Sequence, residues 1–367
     1  MRPPKDLVVL AAGGTGGHLF PAEALARALM ARGRPVALVT DRRAQDFPVE
    51  GVPTYRVPAG RFRAGIVGKV GALIEIGRGA LAARSLLRRL DPGAVVGFGG
   101  YPSVPTMLAA CWLRLPSLIH EQNAVLGRAN LMLSGRVRRI ATGFETVRGL
   151  ASDDRCKIVE TGNPVRPAIL ALRNQSYDPP EPGGPIRLLV IGGSQGARIL
   201  SRIVPEALKA LPRALQARLQ VAQQVRTEDA DSCRAAYASS GITVETKRFF
   251  EDLPERLGTA HLVITRSGGS TVAELTTAGR PAILVPFAAA LADEQTANAR
   301  VLVERGAAWL LAETDFTAGA LSAQLERILN HPAALARAAA AARRLGQPEA
   351  AQRLADLVET VEWEGWR

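Results

Sequence analysis

One junction, used twice, constrains this chain more than any other feature. A short apolar run enters a glycine-rich loop, and the loop opens a helical pattern. The first copy is Leu7-Val8-Val9-Leu10, then Ala11-Ala12-Gly13-Gly14-Thr15-Gly16-Gly17-His18, then a helical stretch over residues 22–31 that stops at Gly33. The second is Ile186–Ile191, then Gly192-Gly193-Ser194-Gln195-Gly196-Ala197-Arg198, then a helical stretch over 199–211. Glycine lets backbone N–H groups crowd round an anion at a helix N-terminus. His18 places on the first loop a group that titrates near neutral pH.

Each junction heads an alternating series. Short, turn-bounded apolar runs at 36–40, 94–98, 117–120, 139–142 and 158–161 are separated by Ala-, Leu- and Arg-rich helical stretches. That alternation argues a parallel sheet covered by helices. The first series closes around Thr161-Gly162-Asn163-Pro164-Val165-Arg166. Asp178-Pro179-Pro180-Glu181-Pro182-Gly183-Gly184-Pro185 can be neither helix nor central strand. The expected class is α/β, with two Rossmann-like parallel-sheet domains at 1–163 and 164–345. Residues 346–367 form a C-terminal helix expected to pack back on the N-terminal domain. The interdomain cleft is the default ligand site. The 367 residues suffice for two such domains.

Composition narrows the setting. Cys111, Cys156 and Cys233 lie far apart without metal-ligand spacing, which fits a reduced chain rather than a disulfide framework. The formal charge of +12 suits an anionic partner. The bias towards Arg, with Lys only at Lys5, Lys69, Lys157, Lys209 and Lys247, is equally what codon usage would produce. No signal peptide precedes the first strand. The best membrane-span candidate, residues 102–119, is broken by Pro105, Arg114 and Pro116.

The loops carry the chemistry. A dinucleotide fingerprint read from Gly14 would need glycine where Leu19 stands, although Asp41 could still hold a ribose. NAD binding and a loop that only packs strand on helix both stay open. The second loop lacks the Lys-Ser/Thr of a P-loop, but its N–H groups and Ser194 suit a phosphate. Residues 262–265 read as a strand, Arg266-Ser267-Gly268-Gly269-Ser270-Thr271 as a loop, 272–278 as a helix stopped by Gly279, and 281–286 as the next strand. Ser270 or Thr271 can cap that helix. Glu274, placed in its first turn, either complements the helix dipole or accepts two ribose hydroxyls. Asp293-Glu294-Gln295 starts another helix. Gly97-Phe98-Gly99-Gly100-Tyr101 and His120-Glu121-Gln122-Asn123 follow strands and so lie at the crevice edge of a parallel sheet. Residues 61–90 mix helically spaced apolar positions with Arg61, Arg63, Lys69, Arg78, Arg84, Arg88 and Arg89. They read as a crossover helix or as a segment lying on anionic lipid.

Taken in order, these motifs resemble the MurG family of bacterial glycosyltransferases. The matching stretches are Gly13–Gly17 with His18, Gly99-Gly100-Tyr101, His120-Glu121-Gln122-Asn123, Gly162-Asn163-Pro164-Val165-Arg166, Gly192 to Ala197, Arg266-Ser267-Gly268 with Thr271-Val272-Ala273-Glu274, and Gln295 with Asn298-Ala299. They span almost the whole chain. The resemblance implies a GT-B fold and transfer of N-acetylglucosamine from UDP-N-acetylglucosamine to the muramyl C4 hydroxyl of lipid I, forming lipid II, with inversion and without a metal or other cofactor. It implies Glu274 on the ribose, the Phe250 backbone on the uracil edge, and Ser194 with its loop on the diphosphate. Asn123 and Gln295 would contact sugar hydroxyls, and Thr15, Gly16, Gly17 and Arg166 would border the donor. The helix start Gly269, Ser270, Thr271, Val272, Ala273 also falls to the donor. His18 is the candidate base. The partners implied are the two substrates, the anionic inner leaflet at the cytoplasmic face of the inner membrane, and other cell-wall synthesis proteins, with no nucleic acid. Two departures stand out: Ala288-Ala289-Ala290 replaces a stretch where many relatives carry His, and Gly268-Gly269-Ser270 replaces Gly-Ala-Leu. A diacylglycerol glycosyltransferase, a nucleotide-binding oxidoreductase and a basic scaffold without catalysis are the competing readings.

Overall fold

The computed structural model describes residues 6–14, 16–41, 47–60, 66–193, 196–238, 240–288 and 292–364. The chain divides into two compact units, Met1–Arg166 with Glu349–Arg367, and Pro167–Pro348.

In the first unit the strands are β1 (Val8–Ala11), β2 (Val36–Thr40), β3 (Thr54–Arg56), β4 (Ala94–Gly97), β5 (Ser117–Glu121), β6 (Arg139–Thr142) and β7 (Ile158–Glu160). They pair in the order β3-β2-β1-β4-β5-β6-β7, every pair parallel. A strand covered on both faces must be apolar at consecutive positions, and β1 is Val-Val-Leu-Ala, buried throughout. Successive side chains point to opposite faces. Accordingly Val8 and Leu10 join one core with Leu25, Leu29 and Leu38, while Val9 and Ala11 join another with Val39, Leu87, Met107 and Ile119.

The first of those cores is closed from far along the chain. Helix Ala350–Glu364 packs on helix Gly16–Ala31 and on β4, β5 and β6. It sends in Leu354, Val358 and Val361, all fully buried. Each such side chain contributes about 1.5–3 kcal/mol through burial. Charges align the two helices. Arg32 reaches Asp356 at 2.7 Å and Glu359 at 3.2 Å, and Arg139 pairs with Glu364. Arg34 grips Glu362 with two bonds, 2.9 Å and 2.6 Å.

The second unit repeats the plan. Its strands are β8 (Ile186–Ile191), β9 (Leu219–Gln224), β10 (Thr243–Lys247), β11 (Leu262–Thr265), β12 (Ala282–Leu284) and β13 (Ala308–Leu310). Their order is β10-β9-β8-β11-β12-β13, again all parallel. Both sheets therefore carry the Rossmann strand order, which reverses direction between β1 and β4 and between β8 and β11. Loops leaving those central strands at their C-terminal ends border a crevice within each unit.

Glu362 is only 3% exposed, so its carboxylate depends on Arg34. Burial pushes its pKa up while Arg34 pulls it down. Arg34→Ala would leave that carboxylate buried and unpaired. The expected cost is about 3 kcal/mol in urea unfolding at pH 7. A loss below about 1 kcal/mol would mean that water takes the place of the guanidinium.

Candidate functional site

The candidate residues fall into two sets, one in each unit. In the first, the helix expected from residue 22 begins at Gly16, inside the glycine loop. His18 thus stands in the first turn, at the strand-order reversal. Pro21 lies inside this helix, where its fixed φ fits but it has no N–H to donate back to the first turn. Gly16 and Gly17 are half-buried in the same turn, and Arg166 lies with its guanidinium 4.3 Å from the Phe20 ring centroid. Thr15 lies outside the described residues, as do Arg61, Arg63, Ser194, Gln195, Ala289 and Ala290.

The loops after β4 and β5 meet His18. The His18 ring packs against Gly100, where an added Cβ would come within 3.1 Å of it; Gly100 has φ +69°, a conformation that suits glycine. His18 Nδ1 lies 3.3 Å from Gln122 Oε1. Burial lowers the pKa of His18, opposed by the nearby Glu121 carboxylate and by hydrogen bonds to Gln122 and the Phe98 backbone. Its imidazole is therefore neutral at pH 7 and able to accept a proton.

Of His-Glu-Gln-Asn, expected to follow the strand, His120 and Glu121 are instead the last residues of β5, and only Asn123 is as much as half-exposed. His120 is fully buried, and Glu121 and Gln122 are 2% and 3% exposed. Glu121 Oε1 accepts from the Asn123 backbone N–H and side-chain amide at 3.0 and 3.1 Å; Oε2 accepts from Gly127 N–H and Asn130 Nδ2, both at 2.8 Å. Four donors make the buried charge tolerable and fix Asn123. Asn163 Nδ2 donates to the Gln122 carbonyl at 2.9 Å, tying the segment after β7 to the same place.

In the second unit, β8 and β11 are neighbours, with Ile191 opposite Thr265, so the loops that follow start side by side. The second glycine loop turns tightly: a Cβ at Gly192 would sit 2.3 Å from the Ala197 nitrogen. The helix after β11 is Gly269–Ala278, with Gly268 as N-cap and no side-chain cap. The expectation that Ser270 or Thr271 caps it is corrected. Gly268, at ψ 149°, leaves the strand extended, and its carbonyl accepts the helix's first bond from Val272 N–H at 3.0 Å. Ser270 and Thr271 are therefore first-turn residues, and Glu274, half-buried, lies one turn further in than expected. Val272 turns its side chain into the core, at 3% exposure. Ser267 Oγ donates to the Gln295 carbonyl at 2.8 Å, Asn298 Nδ2 donates to the Ser267 carbonyl at 2.9 Å, and Gln295 Oε1 accepts from Phe287 N–H at 3.1 Å. These bonds bring Gln295 to the start of the Glu274 helix. Arg266 is an internal strut, bonded to the Val285 and Pro286 carbonyls and to both oxygens of Glu313. Phe250 is buried under Arg256, 4.4 Å from its ring centroid, which leaves the backbone as its polar feature. Asp41, the possible ribose ligand of an oxidoreductase, is only 4% exposed.

Known proteins with this sequence pattern agree. The profile of the glycosyltransferase family 28 N-terminal domain matches residues 8–142, and that of the C-terminal domain of the same family matches 187–355. A UDP-N-acetylglucosamine–N-acetylmuramyl-(pentapeptide) pyrophosphoryl-undecaprenol N-acetylglucosamine transferase from Rhodospirillum centenum is 54% identical over 353 residues, covering 96% of this chain and 93% of that protein. The chain belongs to the MurG family. A second family member, from Paramagnetospirillum magneticum, is 53% identical over 98% of this chain and 97% of its own. The crystal structure of Acinetobacter baumannii MurG superposes with a TM-score of 0.78 at 31% identity, over 97% of this chain and 99% of that one. The MurG assignment sets aside the oxidoreductase reading of the first loop and makes this chain a glycosyltransferase.

Each unit of this MurG-family chain also buries a neutral histidine. Burial holds His120 at about 4; burial, then the charges of Arg187 and Arg280, hold His261 at about 4. In the unfolded chain both titrate near 6.5. The unfolded state therefore binds protons first, so this stability is intact above pH 6.5 and is lost as pH falls towards 4. The urea midpoint is expected to be lower at pH 5.0 than at pH 7.5. Equal midpoints would contradict buried neutral imidazoles.

Proposed function

We propose that this chain moves N-acetylglucosamine from UDP-N-acetylglucosamine to the muramyl C4 hydroxyl of lipid I, the undecaprenyl-diphosphate-linked muramyl-pentapeptide, and so forms lipid II for peptidoglycan. Near full-length similarity to transferases named for that donor and acceptor supports the substrates. The new bond joins the acceptor oxygen to the anomeric carbon, the bond to UDP breaks, and UDP leaves with the electron pair. Inversion needs one base. The observation that carries the assignment is His18: first turn of a helix, at the strand-order reversal, against Gly100, and neutral at pH 7. In this reading its imidazole takes the hydroxyl proton.

The donor belongs to the second unit. Glu274 accepts the ribose hydroxyls, the Phe250 backbone reads the uracil edge, and Ser194 with the Gly192–Ala197 loop holds the diphosphate. The helix start at Gly269, Ser270 and Thr271 turns its N-terminal end towards the charge that grows on the leaving UDP, and Val272 and Ala273, with Val272 N–H bonded back to the Gly268 carbonyl, complete the turn behind it. Gln295 has its oxygen engaged by Phe287 N–H, so its amide hydrogens are what it offers a sugar hydroxyl. Asn123, steadied by Glu121, is assigned to a sugar hydroxyl, and Thr15, Gly16, Gly17 and Arg166 to the border of the donor.

The acceptor's lipid tail calls for a membrane surface. No helix among the described residues is long and apolar enough to cross a bilayer. Helix Ile66–Leu90 exposes Leu73, Ile74 and Leu81, and Trp112 on the neighbouring helix is 57% exposed, with Arg84 4.4 Å from its ring centroid. Arg78, Arg88 and Arg89 are exposed on the same helix. Apolar side chains flanked by Arg suit an anionic leaflet, and this supports the reading of a protein that works at the cytoplasmic face of the inner membrane.

UDP release measured with and without a lipid I analogue tests the reaction. His18→Ala is expected to lower kcat by about 10²–10⁴-fold with little change in donor KM; near-full turnover at saturating acceptor would remove His18 as base. Arg88→Glu with Arg89→Glu is expected to weaken binding to phosphatidylglycerol vesicles by more than about tenfold, at ~1 kcal/mol per basic residue near the surface. Unchanged binding would assign that cluster to ordinary surface.

A further inference from the structure

The reading of His18 as base leaves open which ring nitrogen is bare, and the buried groups behind it decide the matter. Gln122 Nε2 lies 3.0 Å from the Phe98 carbonyl and 3.2 Å from the His120 carbonyl. Carbonyl oxygens only accept, so that end of the amide is its nitrogen. The other end, Oε1, faces His18 Nδ1 at 3.3 Å. An amide oxygen also only accepts, so His18 Nδ1 carries the hydrogen and Nε2 carries the lone pair. His120 locks the amide a second time. Its Nε2 lies 3.0 Å from the Gly162 carbonyl and must be the protonated nitrogen; its Nδ1 is then bare and accepts from Gln122 Nε2 at 3.0 Å. The series runs Gly162 C=O, His120, Gln122, His18, with each donor and acceptor determined by the one before it. Three backbone carbonyls, from Phe98, His120 and Gly162, anchor it.

We propose that Gln122 is a positioning residue for glycosyl transfer, which holds His18 as the Nδ1–H tautomer and presents Nε2, beside Gly100, to the acceptor hydroxyl. The hydrogen bond at one imidazole nitrogen sets the state of the other. Here the orienting group is a neutral amide, not a carboxylate. It selects the tautomer without adding a charge that would hold the proton once taken. His120 and the Gly162 carbonyl act behind Gln122 to keep the amide from turning over.

The spectrum of the wild-type protein tests this directly. The chain has 4 histidines, so ring 15N labelling gives a small set of signals, and His18→Gln identifies those of His18. At pH 8 the expected spectrum has His18 with Nδ1 protonated and Nε2 bare, and His120 with Nε2 protonated and Nδ1 bare. His18 protonated at Nε2, or averaged between tautomers, overturns the proposal whatever the activity of His18→Ala. Full turnover in His18→Ala, by contrast, removes the base and leaves the spectrum to stand on its own, so the two failures are distinct. Gln122→Met, close in volume and without hydrogen bonds, is expected to release the His18 tautomer preference. It should lower kcat by about tenfold or more, since a wrong tautomer in a related proton relay costs up to about 10⁴, with UDP-N-acetylglucosamine KM changed less than about twofold. Unchanged kcat with the preference lost would also overturn it.

Discussion

Every pair of named strands among the described residues is parallel, and the candidate site follows from that. Parallel strands end together, so the loops after β1, β4, β5 and β7 leave one edge of the first sheet. Residues as distant in sequence as His18 and Gln122, 104 positions apart, become hydrogen-bonded neighbours. The reversal of strand order between β1 and β4 leaves room there for a ligand, because neighbouring connections depart to opposite faces. The second sheet repeats the arrangement between β8 and β11. One construction principle thus yields two strand–glycine-loop–helix junctions, and sequence differences between the loops set them apart.

Placing polar residues at a sheet edge without flooding it requires that each find a partner. Glu121 does so with four N–H donors, Gln122 with two amide hydrogens shared among three acceptors, and Arg266 with two carbonyls and a carboxylate. An unsatisfied buried group costs roughly 1–3 kcal/mol, so these loops have few alternative conformations of comparable energy. Rigidity of that kind suits the roles proposed for His18 and the Gly269 helix start, because preorganised groups need not reorient during reaction.

Much of the architecture was legible from residue pattern. The bounds of β2, β6, β8 and β11 coincide with their apolar runs, because strands buried on both faces must be apolar at nearly every position. β9 and β10 carry no such run. Leu-Gln-Val-Ala-Gln-Gln alternates buried with exposed or half-buried positions, Thr-Val-Glu-Thr-Lys exposed with half-buried ones, and neither gives an apolar run to find. β3 and β13, three residues each, are too short to show a period. The candidate site divided similarly. His18 was visible because a glycine loop frames it. The part played by Gln122 was not, since it depends on carbonyls of Phe98 and His120 and on a ring in another loop. The missing cap on the Glu274 helix was hidden for the opposite reason: Ser270 and Thr271 are good caps by type, and only the backbone shows that Gly268 already holds the position.

Helix Ala350–Glu364 has a consequence for how the protein comes into being. The first sheet offers an apolar face from the moment its strands form, yet the helix that covers part of it is encoded after the whole second unit. At about 5–20 residues per second, synthesis of residues 167–348 lasts on the order of ten seconds or more. By its end the second unit, contiguous in sequence, has all of its core residues in hand, while the first still lacks Leu354, Val358 and Val361. The unit that begins first on the ribosome is the one that finishes last.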